Sequence, residues 1–222
     1  KETKTKILLA IVAVTGECVY LGCSNNACKA INSLVEFNYC HDTTTDGTGS
    51  GASGFQIKTG SHSNIVRHNV CYNIPGVCVL VYDDYDLGIN LIEGNVAVNI
   101  ASDNGIQVTA GAIVRNNIVI GWGSCKFLRI DNNRSDTRMK RSNFFRIVVS
   151  AGISVSTNSA MTKPRNVVVE HNTLYDSRSG RECLRLTQVA ANEGWAVSNN
   201  ALYCPSGTAV VNANGDFSSR FC

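Results

Sequence analysis

The sequence has little proline and little charge, and it lacks long apolar runs and extended helical periodicity. Only 3 of its 222 residues are proline and 17% are charged, which argues against a disordered chain. No stretch approaches the eighteen or so apolar residues of a membrane-spanning helix, so we expect no membrane span. The net charge of +3 argues against nucleic acid as a partner of the whole surface.

Zinc-binding motifs are missing too, although cysteine is abundant. The ten cysteines include no C-x-x-C pair, and there are four histidines. An even, high cysteine count is typical of disulfide-bonded proteins of an oxidising compartment, so we expect an extracellular or periplasmic protein. Zinc is the competing interpretation, and the cysteine spacing disfavours it. The disulfide candidates are Cys23 with Cys28, Cys40 with Cys71, and Cys183 with Cys204.

Asparagine recurs at one position of a degenerate repeat. The segments LVEFN, IVRHN, LIEGN, IVRNN, VVEHN and AVSNN end at Asn38, Asn69, Asn95, Asn117, Asn172 and Asn200. Their gaps are 31, 26, 22, 55 and 28 residues, and Asn143 splits the long gap into 26 and 29. Such periods are typical of solenoids. We interpret the asparagines as a structural ladder, whose short amides tolerate a tight bend and hydrogen-bond their equivalents on neighbouring coils.

A second repeated element lies between the asparagines. These short segments alternate apolar and polar residues, as half-buried strands do: CVYL (18–21), FQIK (55–58), VLVY (79–82), IQVT (106–109), FLRI (127–130), ISVS (153–156), LRLT (184–187) and AVVN (209–212). Two or three strands per period without helix predict an all-β parallel β-helix of about seven to eight coils, a single domain over residues 1–222. Residues 1–14 are a first strand or a processed remnant.

The runs ECVYLGCSNNAC, SLVEFNYCHDT, GFQIKTGSHSNIVRHNVCYNIPGVCVLVYD, LIEGNVAVNIASDNGIQV, AIVRNNIVI and PRNVVVEHNTLYDS carry a family resemblance. They resemble the right-handed parallel β-helix repeats of the pectate-lyase-like superfamily, in particular its bacterial secreted or hypothetical members. The resemblance implies a right-handed β-helix. It leaves the chemistry open, because the superfamily holds lyases, hydrolases, epimerases, phage tailspikes and members without known activity.

Outward residues of the second element should stack into one face suited to an acidic polysaccharide, as the resemblance also implies. A uronate lyase must neutralise a carboxylate, remove the C5 proton and protonate the leaving oxygen. The candidate catalytic residues are Lys58, Tyr82, Arg129 and Arg185, and the candidate substrate-binding residues are Gln56, Gln107 and Thr109. The alternative is that these are ordinary polar residues on the surface of a sheet.

One departure from the resemblance bears on activity. Lys58 matches the lysine-bearing strand of the lyases, whereas Tyr82 stands where their next coil has arginine. Whether the protein is an enzyme is therefore open. Our first hypothesis is a secreted β-helix that binds an acidic polysaccharide and could cleave it by β-elimination. The alternative is a non-catalytic structural or adhesion β-helix.

Two charged segments complete the candidate sites. Asp83, Asp84 and Asp86 form an acidic turn whose oxygens suit Ca²⁺, with a solvated turn as the alternative. Residues 129–146 hold six Lys or Arg against two Asp, and form a basic atypical coil or loop that either grips an anionic polymer or is solvated. His41 and Asp42 could orient one another, but we assign them to a turn. The oligomeric state is left open.

Overall fold

A computed structural model describes the chain over most of its repeats. The described residues are 6–7, 10–12, 14–24, 27–45, 52–82, 87–101, 104–123, 151–156, 165–178, 181–186, 194–205 and 210–212. Their strands form three seven-stranded sheets, and every strand pairing between neighbouring coils is parallel.

Each sheet takes every third strand of the chain. The first sheet contains β1 (Lys6–Ile7), β4 (Leu34–Glu36), β7 (Ile65–Arg67), β10 (Asn90–Glu93), β13 (Ala112–Arg115), β16 (Val168–Glu170) and β19 (Ala196–Ser198). The second contains β2 (Ala10–Val12), β5 (Tyr39–His41), β8 (Val70–Ile74), β11 (Val96–Ile100), β14 (Ile118–Trp122), β17 (Thr173–Tyr175) and β20 (Ala201–Tyr203). The third contains β3 (Val19–Leu21), β6 (Phe55–Ile57), β9 (Val79–Val81), β12 (Ile106–Val108), β15 (Ala151–Val155), β18 (Glu182–Leu186) and β21 (Val210–Asn212).

This arrangement confirms the predicted parallel β-helix. Each coil contributes one strand to each of the three sheets, and seven such coils are described. The alternation of the segments decides which side chains turn inward, because successive residues of a strand face opposite ways. Phe55, Ile106, Ile153 and Leu184 accordingly stack in register inside the third sheet, each almost fully buried. Burying one such side chain contributes about 1.5–3 kcal/mol.

The predicted asparagine ladder is present. The side-chain amide Nδ2 of Asn38 donates to Oδ1 of Asn69 at 2.8 Å, and that of Asn69 donates to Asn95 at 3.0 Å. The same bond links Asn95 to Asn117, Asn117 to Asn172, and Asn172 to Asn200. The first five rungs are buried. From Asn69 onward, each ladder Oδ1 also accepts from the backbone N–H of the previous rung, so the ladder satisfies backbone groups at the corner between two sheets.

The ladder asparagines do not themselves take the bend, which corrects our expectation. The positive φ angle belongs to the residue before each asparagine, with values of 58° at Phe37, 53° at His68 and 62° at Gly94. Asn116, His171 and Asn199 repeat this conformation. Residues other than glycine reach the left-handed region at a cost of about 1–2 kcal/mol. The buried amide bonds of the next residue offset that cost.

The long gap between asparagines is a single period with an insertion, and not two periods as predicted. Asn117 donates directly to Asn172, 55 residues away. The strands β14 and β17 pair directly, as do β12 and β15. No further coil therefore lies between them, and the predicted role of Asn143 as a rung is wrong. Asn143 and the predicted strand at 127–130 lie outside the described part of the chain.

Four disulfides join described cysteines. Two are the predicted pairs Cys23–Cys28 and Cys183–Cys204. Cys40 and Cys71 are register partners on β5 and β8, as expected, but the predicted bond between them is wrong. Each instead bonds across the core toward the third sheet, in the pairs Cys18–Cys40 and Cys71–Cys78. The side chains of Cys40 and Cys71 point into the core from the same position of adjacent coils. Cys40 reaches Cys18, directly before β3, and Cys71 reaches Cys78, directly before β9.

No helix long and apolar enough to cross a membrane occurs within the described ranges.

Candidate functional site

The outer column of the third sheet is aligned as predicted but is largely covered. Tyr20, Gln56, Leu80, Gln107, Ser154 and Arg185 occupy equivalent register positions on successive strands. Gln56, Leu80 and Ser154 are nevertheless buried, whereas Tyr20 is exposed. Our expectation of a continuous solvent-facing stripe is therefore wrong at these three positions. The accessible positions of the column are Tyr20, which is exposed, and Gln107 and Arg185, which are half-buried.

Lys58 and Tyr82 come together at the N-terminal end of this face. The Lys58 ammonium Nζ lies 3.8 Å from the centre of the Tyr82 ring and 4.9 Å from that of Tyr20. The cation thus contacts one aromatic ring from the coil before its own and one from the coil after it, an electrostatically attractive arrangement. Lys58 directly follows β6 and is only 8% exposed, whereas Tyr20 is 43% exposed. We call Glu17, Tyr20, Gln56, Lys58 and Tyr82 the Lys58 cluster.

Polar contacts in the Lys58 cluster run through Gln56. The Lys58 ammonium donates to Gln56 Oε1 at 3.3 Å, and Gln56 Nε2 donates to Glu17 Oε1 at 3.0 Å. The glutamine therefore stands between the cation and the carboxylate, and no ion pair joins Lys58 to any residue in the described part of the chain. The described partners of this largely buried cation are neutral.

The other candidate catalytic residues do not join the Lys58 cluster. Arg185 on β18 is four strands away from β6 in the order of the third sheet, a separation of about 19 Å at the usual strand spacing. Its guanidinium Nε is bonded to the Glu182 carboxylate at 2.6 Å. Arg129 lies outside the described residues.

The candidate substrate-binding residues have partners within the fold. Gln56 belongs to the Lys58 cluster. Gln107 accepts a hydrogen bond from Asn104 Nδ2 at 3.0 Å, and Asn104 in turn accepts from the backbone N–H of Ala151. Thr109 is buried and its hydroxyl donates to the carbonyl of Val81 at 2.9 Å. Gln107, which is half-buried, is the more accessible of the last two.

Asp83, Asp84 and Asp86, the predicted calcium turn, lie outside the described residues. Within the described ranges, no three His, Cys, Asp or Glu side chains gather as they would around a metal ion. The basic segment 129–146 is likewise outside the described part of the chain.

A column of alternating charge on the first sheet escaped our sequence analysis. Glu36, Arg67, Glu93, Arg115 and Glu170 occupy one register position on successive strands. Arg67 Nε lies 2.7 Å from the Glu36 carboxylate, and Arg115 Nε lies 2.8 Å from that of Glu93. The signal was visible in the repeats, whose third letter runs E, R, E, R, E. Because its charges compensate one another, this face is poorly suited to an anionic polymer.

Two carboxylates beside the second sheet have lowered pKa values. Burial of the Asp176 carboxyl alone would raise its pKa, but bonds from the Arg178 guanidinium and from the backbone N–H groups of Arg178 and Trp122 lower it overall. A hydrogen bond from His41, 2.8 Å away, lowers the pKa of Asp42, and one from the Asn73 amide adds to this. Asp42 has a φ of 52°, which agrees with the predicted turn.

No protein-family model, curated protein or solved structure matches this chain. The assignment to the parallel β-helix class therefore rests on the strand pairing, and the candidate site rests on its own geometry.

Proposed function

We propose that the protein is a secreted β-helix of the pectate-lyase-like type that binds an acidic polysaccharide at the Lys58 cluster. The observation that carries the proposal is a lysine that is 8% exposed and whose described partners are a glutamine oxygen and two tyrosine rings. Lysine is rarely buried to this degree without an anionic partner. A carboxylate of the ligand would supply that partner.

The surroundings of Lys58 suit a sugar acid better than a small anion. Tyr20 presents an exposed ring beside the ammonium, and an aromatic face packs well against the C–H groups of a sugar ring. Gln56 holds Lys58 on one side, and the Glu17 carboxylate accepts from Gln56. The cation is thus positioned before the ligand arrives, which lowers the entropic cost of binding.

Binding is better supported than cleavage. In β-elimination, the group that neutralises the uronate carboxylate and the base that removes the adjacent proton must act on one sugar residue. Lys58 and Tyr82 are adjacent, but Arg185 lies about 19 Å away by the strand spacing and is paired with Glu182. Among the candidate catalytic residues of the described ranges, the cation Lys58 and the ring of Tyr82 are therefore adjacent, and Arg185 is apart from them.

Secretion is supported by the four disulfides. Disulfides persist in oxidising compartments and are rare in the cytosol. Three of them lie in the first three coils, and the fourth joins β18 to the segment after β20. Both ends of the coil stack are thus covalently fixed, which suits a protein exposed to an extracellular environment.

The proposal is tested with a panel of pectate, alginate and chondroitin sulfate. Retention of the protein in affinity gels that contain each polymer measures binding, and ultraviolet absorbance of unsaturated products, with and without Ca²⁺, measures cleavage. We expect retention by at least one polymer, weakened by salt because the contact is ionic. Lack of retention by every acidic polymer would refute the proposal, and a rise in absorbance would extend it to a lyase.

A further inference from the structure

The outer face of the second sheet carries an exposed, uncharged column of side chains that the Lys58 cluster does not use. Tyr72, Val98, Ile120, Tyr175 and Tyr203 occupy one register position on successive strands. Exposure of the large ones ranges from 39% at Ile120 to 53% at Tyr203. We call these five residues the aromatic column. Three of its members are exposed tyrosines, and tyrosine offers both an apolar ring and a hydroxyl to a ligand.

The shape of the aromatic column suits an extended ligand. Five residues at the usual strand spacing cover about 19 Å, and the neighbouring outward column lies about 7 Å to the side. That second column runs from Val70 to Ala201 and adds no charge. The resulting strip, on the order of 200 Å² by these spacings, is far below the roughly 800 Å² per partner of a stable protein interface. A second copy of the chain is therefore a poor occupant.

The polar groups at the edge of the aromatic column are amides, an ion pair and, at one end, the Asp42 carboxylate that accepts from Asn73. Asn99 donates its amide to Asn73 at 2.9 Å, so its own Oδ1 lies on the side of the next coil. That coil has Gly121 at the equivalent position, beside Ile120, and glycine has no side chain to donate. Beyond it, Asp176 and Arg178 neutralise one another at 2.5 Å.

The missing side chain at Gly121 opens a recess next to the aromatic column. An open cavity of about 310 Å³ is lined by Asn99, Ile120, Gly121, Tyr175 and Arg178, among others. The Tyr175 ring forms one wall and stacks on Tyr203 with 5.1 Å between ring centres. Aromatic walls with a few hydrogen-bonding groups are typical of small-ligand and sugar sites.

We propose that the aromatic column and the recess at Gly121 bind a neutral, extended polysaccharide. The face of Tyr175 turned away from Tyr203 would pack on the apolar face of a sugar in the recess, the exposed edges of the two stacked rings would contact the next sugar, and the amide oxygen of Asn99 would accept from a sugar hydroxyl. An anionic polymer would find no unpaired cation on this strip, because Arg178 is already paired with Asp176. The site lies on the second sheet and the Lys58 cluster on the third, so the result of testing one proposal does not decide the other.

The test is sedimentation of the full-length protein with insoluble neutral polysaccharides, namely microcrystalline cellulose, chitin, mannan and β-1,3-glucan, at low and high salt. The disruptive variant is Tyr175→Thr with Tyr203→Thr, because threonine is a good strand former and already occupies position 173. The matched variant Tyr175→Phe with Tyr203→Phe keeps both rings. Phe37→Asn removes an exposed ring elsewhere, at a left-handed position that asparagine tolerates. Circular dichroism checks that every variant folds.

We expect the wild type to sediment with at least one neutral polymer at both salt concentrations. The threonine double variant should bind about tenfold more weakly, the loss expected for two aromatic contacts. The phenylalanine variant and Phe37→Asn should bind like the wild type. Equal binding by a folded threonine variant, or no binding by the wild type to any of the four polymers, would overturn the proposal. So would self-association, or binding to phosphatidylcholine vesicles, that the threonine variant abolishes, because the column would then serve another occupant.

Discussion

The side-chain amide of Asn117 donates to Oδ1 of Asn172 at 3.0 Å although 55 residues separate them. This single bond shows that the two asparagines are adjacent rungs. The chain between β14 and β15 is therefore an insertion into one coil, and the β-helix continues through it without a missing layer.

We predict that two residues can replace the insertion without loss of the fold. In the preceding coil, five residues separate Ile100 from Ile106, whereas thirty separate their register partners Trp122 and Ile153. Replacing residues 124–150 by Ser-Asp, with Cys222→Ser to keep the number of cysteines even, restores the five-residue length. We expect a cooperative thermal unfolding transition with the midpoint within a few degrees of the wild type. A variant without a cooperative transition would contradict the single-coil account.

Removing a central rung of the ladder should be costly. Asn95→Ala leaves the backbone N–H and the Nδ2 of Asn69 without their acceptor in this rung. It also removes the side-chain donor to Asn117 Oδ1 and to the carbonyl of Val66, whereas the backbone N–H of residue 95 remains as a donor to Asn117. Because these groups are buried, we expect a loss of about 3 kcal/mol in the free energy of unfolding, measured with urea. Asn200→Ala, at a partly exposed rung, should cost about 1 kcal/mol. Equal losses at both positions would contradict the burial argument.

The alternating charges of the first sheet should fix the register of the coils. Arg67→Glu places three glutamates on consecutive strands of the column, at positions 36, 67 and 93, with Glu36 only 4% exposed. We expect a loss of about 1–2 kcal/mol in the free energy of unfolding. The neutral control Arg67→Gln should lose less free energy of unfolding. Added salt should reduce the difference in stability between the two variants, because it screens the repulsion. A difference that does not respond to salt would mean that the repulsion is not electrostatic.

The buried carboxylate of Asp176 should make stability depend on pH. Its pKa is lowered in the folded protein, so its stabilising contribution is complete above the ordinary aspartate pKa of about 4 and disappears as pH falls through the lowered value. Asp176→Asn should cost about 2 kcal/mol at neutral pH. The difference in the free energy of unfolding between the variant and the wild type should become smaller in acid, as measured by urea unfolding at several pH values. A gap that stays constant into acid would show that the carboxylate charge is not the cause.

The fold followed from sequence because a β-helix repeats one local pattern, and the asparagine position alone aligned six coils. Asn143 misled us because spacing cannot distinguish a full coil from an insertion, whereas pairing of β14 with β17 does. The bond between Cys40 and Cys71 was predicted from their register on adjacent coils. Each cysteine instead bonds to a sulfur across the core, and an alignment of the repeats does not show which residues face each other there.

The candidate site was only partly predictable. Lys58 and Tyr82 follow consecutive strands of one sheet, so their proximity follows from the repeat. Tyr20 belongs to the coil before and was not selected, although CVYL was recognised as an equivalent segment. The burial of Gln56 and Ser154 depends on what lies over the sheet, and strand periodicity contains no information about that.

The most direct test of the Lys58 cluster is titration calorimetry with the acidic polymer that retains the wild type most strongly, at low salt. Lys58→Met removes the buried cation, and Arg165→Met removes an equal charge from an exposed position just before β16, several coils away on another sheet. We predict that Lys58→Met raises Kd by tenfold or more, equivalent to about 1.4 kcal/mol, and that Arg165→Met leaves it within twofold. Binding by Lys58→Met as tight as that of the wild type would contradict the assignment of the site.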